Sequence, residues 1–141
     1  MDKFVTELRI QFYRGKNEAV LLDELIYEHK KLGTIVVPRG FVTDFASVPN
    51  FLQSLVQSVG ILRDAAVLHD FLYKNHGFFR WSGNEIIIVK LSKSKCDLIF
   101  FQAMKSTNVP AIKRQMAYAG VAVGGFNSWR KCGKKLKGMT A

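Results

Sequence analysis

Apolar and polar residues alternate from Phe4 to Tyr13, with Phe4, Leu8, Ile10 and Phe12 on one side and Glu7, Arg9 and Gln11 on the other. Side chains on a strand point to opposite faces in turn, so this period of two predicts a half-buried strand. After a turn at Gly15-Lys16-Asn17, Ala19 to His29 is a second apolar-rich stretch, read as a strand with a short helix as the alternative. Lys30 to Gly33 turns the chain, and the β-branched run Thr34-Ile35-Val36-Val37 predicts a third strand. Residues 1–40 therefore read as an antiparallel β-meander.

From residue 41 the pattern becomes helical. Ser47 is placed to cap a helix with Pro49 in its first turn, running to about Val59. Gly60 breaks the chain, and the next helix carries Ala65-Ala66-Val67-Leu68-His69-Asp70-Phe71-Leu72-Tyr73 and stops near Gly77. Phe78, Phe79 and Trp81 are expected in a loop ended by Ser82-Gly83-Asn84, and Glu85 to Leu91 reads as a strand or hairpin arm. Ser92 or Ser94 caps a helix from Lys95 to about Thr107, on which Asp97, Phe100, Phe101 and Met104 share a face. Pro110 opens a last helix to about Val123, ended by Gly124-Gly125. Phe126 and Trp129 are expected to pack a basic tail, residues 126–141, against the body. The expectation is one α+β domain: a meander, a helical core over 41–125, and that tail.

Length and composition fit this picture. The 141 residues, 48% hydrophobic and 12% aromatic, suffice for one core without staples. No apolar run is long enough for a transmembrane helix, and no signal peptide is visible at the start. Cys96 and Cys132 form neither a disulfide framework nor a zinc spacing, and read as free thiols. The formal charge of +10 predicts attraction to polyanions. Arg130, Lys131, Lys134, Lys135 and Lys137 concentrate it in the tail, which suggests nucleic acid, an anionic membrane surface or an acidic partner protein as contacts.

Within the helix pattern, His69 and Asp70 stand out. Neighbours on a helix diverge by about 100°, so they serve different partners, whereas Tyr73 lies on the side of His69. Asp97, on an otherwise apolar face, needs a partner to be ionised there. His69 is the candidate, with Tyr73 as a second donor. A histidine held by a carboxylate on one nitrogen and free on the other is a general base able to activate water. Asp70 should face the segment carrying Thr43 and Asp44, where a hard cation, Ca²⁺, would fit.

The set His69-Asp70-x-x-Tyr73 with Asp97-x-x-Phe100 resembles the secreted phospholipase A2 family. That resemblance implies His69 as base, Asp70 as Ca²⁺ ligand, and Asp97 with Tyr73 orienting His69. The family's glycine-rich calcium loop and its disulfides have no counterpart in this chain. A wider likeness covers Gly40-Phe41-x-Thr43-Asp44-Phe45-Ala46-Ser47-Val48-Pro49, Ala66-x-x-His69-Asp70-x-Leu72-Tyr73 and Asp97 through Ala103-Met104. It is similar to a family of uncharacterised proteins of tailed bacteriophages and prophages, met among virion and tail genes. This implies a virion protein made in the host cytoplasm, with other virion proteins as neighbours and an anionic membrane, an envelope polymer or packaged DNA as contacts of the basic tail, and adds Asp44 and Ser47 to the site candidates. Two readings follow: a tail or baseplate component built around a polar network, or a small hydrolase of a phospholipid ester or other envelope component. The hydrolase reading expects an open pocket with one nitrogen of His69 facing solvent. A third, a histidine-aspartate phosphohydrolase, would use His29, His69, Asp70 and Asp97 as metal ligands.

Overall fold

A computed structural model describes residues 2–16, 18–45, 47–50, 52–53 and 60–140, with the backbone alone given at residues 60–61 and 139–140. The fold is α+β. Among the described residues, eight short strands, all paired antiparallel, form three small sheets, and four long helices follow the first six strands with the last two strands between them.

The expected first strand is divided. β1 (Lys3–Phe4) pairs with β4 (Leu25–His29), which pairs with β5 (Gly33–Val37). β2 (Ile10–Phe12) pairs instead with β3 (Ala19–Leu21), whose other neighbour is β6 (Val42–Thr43). The stretch Ala19 to His29 is likewise two strands, bent at Leu22-Asp23. Thr6 explains how the chain crosses between sheets. Its hydroxyl donates to Glu24 O at 3.0 Å and accepts Ile26 N–H at 2.9 Å, replacing ladder bonds that a straight strand would make. The meander is therefore two small sheets that share its strands.

Asn50, Leu52 and Gln53 are helical, as the Ser47–Pro49 signal predicts, while the expected continuation over 54–59 lies outside the described residues. α1 (Gly60–Asn75) is the centre of the molecule. From Ala65 to Tyr73 every residue is at most 2% exposed, so this helix is enclosed on all sides by β6, β7 and two other helices.

His76 leaves α1 with φ +49, and Gly77 follows at φ +147. A Cβ on Gly77 would stand 1.9 Å from Val89 O, so only glycine lets the two chains meet here. Phe78, Phe79 and Trp81, expected in a loop, form β7 (Gly77–Ser82), paired residue for residue with β8 (Glu85–Lys90). Gly83, at φ +64 in the first turn position, is the signal for this hairpin.

α2 (Lys93–Ser106) is capped by Ser92, whose hydroxyl accepts Lys95 N–H, and it packs along α1. α3 (Ala111–Gly124) starts after Pro110 as expected. The basic tail is a further helix, α4 (Phe126–Thr140), docked on α1. Its Trp129 stacks on His76 at 3.5 Å between ring centres, 4° from parallel, and His76 Nε2 donates to Trp129 O at 3.0 Å. Phe126, by contrast, stays half exposed. No helix among the described residues is long and apolar enough to cross a membrane.

Asp64, on the first turns of α1, is pushed up to about 6 by burial, with Glu7 adding to the effect. Its folded value lies above the ordinary 3.8, so the stabilisation it gives is full below 3.8 and is lost as pH rises through 6. Asp64→Asn is expected to be the more stable form at pH 8 by about 1 kcal/mol, a figure discounted for partial exposure. Urea unfolding at pH 8 and pH 4 checks this, and a gain that does not shrink at pH 4 contradicts it.

Candidate functional site: a buried Ser47–His69–Asp97 network

The long axis of the site is set by α1 and α2 lying side by side. His69 and Tyr73, one turn apart on α1, both reach Asp97 on α2: His69 Nε2 at 2.8 Å and the Tyr73 hydroxyl at 2.6 Å from the same oxygen, Oδ1. The pairing expected from helical spacing is present. The other oxygen, Oδ2, accepts from Lys93 Nζ at 2.8 Å, one turn earlier on α2. Lys93 also donates to Val121 O at 2.9 Å and Ala122 O at 3.2 Å, so its three N–H bonds hold Asp97 and the last carbonyls of α3 together.

Burial would raise the Asp97 carboxyl, but hydrogen bonds from His69, Lys93 and Tyr73 outweigh it and hold Asp97 below the usual carboxylate range. Asp97 is thus ionised and accepts every bond it makes. Burial pulls His69 below its ordinary value despite Asp97, so the ring is neutral and its one proton sits on Nε2, pointing at the carboxylate. Nδ1 is then an acceptor. Ser47 Oγ lies 3.0 Å from Nδ1, so the serine hydroxyl donates to it. Burial and the bond to Asp97 push the Tyr73 phenol far up, which keeps it a donor.

The chain of donors therefore runs Ser47 to His69 to Asp97, with Tyr73 and Lys93 joining at the carboxylate. Ser47 and His69 are fully buried and Asp97 is 2% exposed. The nitrogen expected to face solvent is not open: the Ser47 hydroxyl is where an activated water would stand. The reason lies in the segment after β6, which carries Ser47 inward just ahead of the helical turn at Asn50.

Asp70 turns to the other side of α1, as the 100° step demands. Its Oδ2 accepts from Thr43 Oγ1 at 2.6 Å, and that hydroxyl accepts Phe45 N–H at 3.2 Å. Burial raises the Asp70 carboxyl, opposed by Lys74 and Thr43. Lys74, one turn on, places its ammonium 3.5 Å from Asp70 and 3.7 Å from Asp44, and donates to Val42 O at 3.0 Å. The two carboxylates expected to share Ca²⁺ thus share a lysine of the same chain. Among the described residues no group of three or more His, Cys, Asp or Glu is arranged to hold a metal ion. An ammonium stands where Ca²⁺ would bridge Asp70 and Asp44, so these residues as arranged do not fit the ion.

The third ligand set also fails to assemble. His29 Nε2 is bonded to Gln102 at 2.8 Å, and its Nδ1 accepts the N–H groups of Lys31 and Leu32. Both cysteines are free, and burial pushes the Cys96 thiol up to about 12, so it is inert.

Lys74 and Lys93 are not among the residues expected at the site, although each lies four residues from its carboxylate, a spacing that signals an ion pair on a helix. Ser47 is a candidate by its cap position and motif, and nothing in the spacing shows its bond to His69. Comparison with curated proteins, and separately with solved structures, finds no match. A family model matches residues 19–121, the span from β3 to α3 that holds every member of the network, and the chain belongs to that family, described as protein of unknown function (DUF1353).

Proposed function

We propose that this chain is a building block of a tailed-bacteriophage particle, associated with tail or baseplate, in which the Ser47–His69–Asp97 network fixes the packing of the core. The observation that carries the network's role is that both ring nitrogens of His69 end on protein atoms, with the ring wholly enclosed. A buried polar network whose members all have partners rigidifies a core and disfavours other packings. The phage setting rests on the sequence resemblance over Gly40–Pro49, Ala66–Tyr73 and Asp97–Met104. Purified particles of a phage encoding the chain should contain it at fixed stoichiometry by mass spectrometry. Its absence from particles would refute the assignment.

A second reading is favoured by the direction of the proton chain. A hydroxyl donating to an imidazole whose other N–H is held by a carboxylate is the arrangement of a nucleophilic serine. In that reading Ser47 replaces water, and the protein is a hydrolase of a phospholipid ester or other envelope component. Burial separates the two readings. If the network is structural, a fluorophosphonate probe leaves folded protein unlabelled, and phospholipid and peptidoglycan hydrolysis stay at background with and without Ca²⁺. A stoichiometric adduct that Ser47→Ala abolishes would establish the hydrolase.

A further inference from the structure

Among the described residues, the β7–β8 hairpin has one face with no partner. Its register pairs Phe79 with Ile88 and Trp81 with Ile86, so these four side chains stand together on one side. They are 41%, 56%, 69% and 59% exposed in that order. The alternate positions Phe78 and Val89 turn inward and pack on the core, which fixes the orientation of the hairpin. A contiguous apolar face of this kind marks a contact surface.

Its border is cationic. Lys90 follows Ile86 and Ile88 on the same face, and a cleft joins Ile88 and Lys90 to Arg130 and Lys134 of α4. Among the described residues no acidic side chain lines that cleft, and Glu85 of the hairpin lies on the opposite face by strand alternation.

We propose that the outward face of the β7–β8 hairpin, bordered by Lys90, Arg130 and Lys134, docks the protein on an anionic lipid bilayer. A bilayer supplies both halves of this surface at once. Its acyl boundary accepts Trp81, Ile86 and Ile88 without a shaped pocket, and its phosphates meet the cations beside them. Trp81 is suited to that boundary because its ring is apolar and its N–H still finds a partner among the headgroups. The inference is independent of the role assigned to Ser47, His69 and Asp97.

Co-sedimentation of the full chain with lipid vesicles tests it. Binding is expected to vesicles of phosphatidylcholine mixed with phosphatidylglycerol and not to phosphatidylcholine alone, and it should weaken as salt rises. The triple variant Trp81→Ser, Ile86→Ser, Ile88→Ser should melt like wild type, since these side chains are exposed, yet bind at least about tenfold more weakly. Lys90→Gln should cost about fivefold. Trp81→Phe should still bind but lose the blue shift of tryptophan emission that wild type shows on vesicles. Absence of vesicle binding overturns the proposal. So does equal binding by the triple variant, which would assign the contact to charge alone. Retention on an acidic protein matrix without vesicle binding overturns it too, and assigns the face to a protein partner.

Discussion

Asp97→Ala is expected to lower the thermal midpoint by about 10–17 °C, the equivalent of about 3–5 kcal/mol in a chain of this size. Coulombic loss is the smaller part of this. Without the carboxylate, the Lys93 ammonium keeps two carbonyls and no counter-charge, while the Tyr73 hydroxyl and His69 Nε2–H are left without an acceptor in a closed interior. Asp97→Asn keeps an acceptor oxygen and should cost about half as much. The pH dependence carries a separate signature. His69 is lowered from 6.5 in the fold, so its contribution is complete above 6.5 and declines as pH falls below it. Asp97 is lowered from 3.8, so its contribution is complete above 3.8 and is lost at still lower pH. Melting curves of wild type and Asp97→Asn across the acid range measure this. If Asp97→Ala melts within a few degrees of wild type, the network is not structural.

Gly77→Ala should be nearly as damaging. Its φ of +147 is one that side-chain-bearing residues rarely adopt, and the added methyl would lie 1.9 Å from Val89 O and 3.1 Å from Lys90 Cα. Those atoms are backbone, so the strand must move, and β7 would have to separate from β8 at its base. A loss of about 3 kcal/mol or more follows. Amide exchange should locate it, with faster exchange across Gly77–Lys90 and little change in β4 and β5. Uniform exchange rates in the two proteins would show that the hairpin tolerates the methyl.

The candidate site was more legible than the sheets. Helical periodicity is rigid over one or two turns, so His69, Tyr73 and Asp97 can be matched by face, and the divergence of His69 from Asp70 turns the aspartate toward the segment from Gly40 to Asp44, without showing that Thr43 is the residue it bonds. Strand alternation carries no such information about which strand pairs with which. Phe4 to Tyr13 alternates throughout, and its division between two sheets depends on one hydroxyl, that of Thr6. The β7 strand looks like a loop in the sequence because aromatic residues beside Gly and Ser give no period over so short a run, although Gly83-Asn84 is a turn signal. The basic tail shows only its charge in the sequence, whereas its helix docks through Trp129, which stacks on His76, accepts the His76 Nε2–H and meets Tyr73 edge-on, contacts that no local pattern encodes. Ser47 was legible as a helix start. That the same hydroxyl would close off His69 depends on how the segment after β6 folds back over α1.

The polar network also has a consequence in time. It joins Ser47 to His69 across 22 residues, His69 to Asp97 across 28, and Lys93 to Val121 across another 28. Contacts between such distant segments carry a large loop-closure entropy and form only after the helices have met. Changes to these side chains should therefore act chiefly on the unfolding arm of a chevron plot, leaving the refolding rate close to that of wild type. The network then functions as a latch on an already assembled core, setting how long the folded protein lasts.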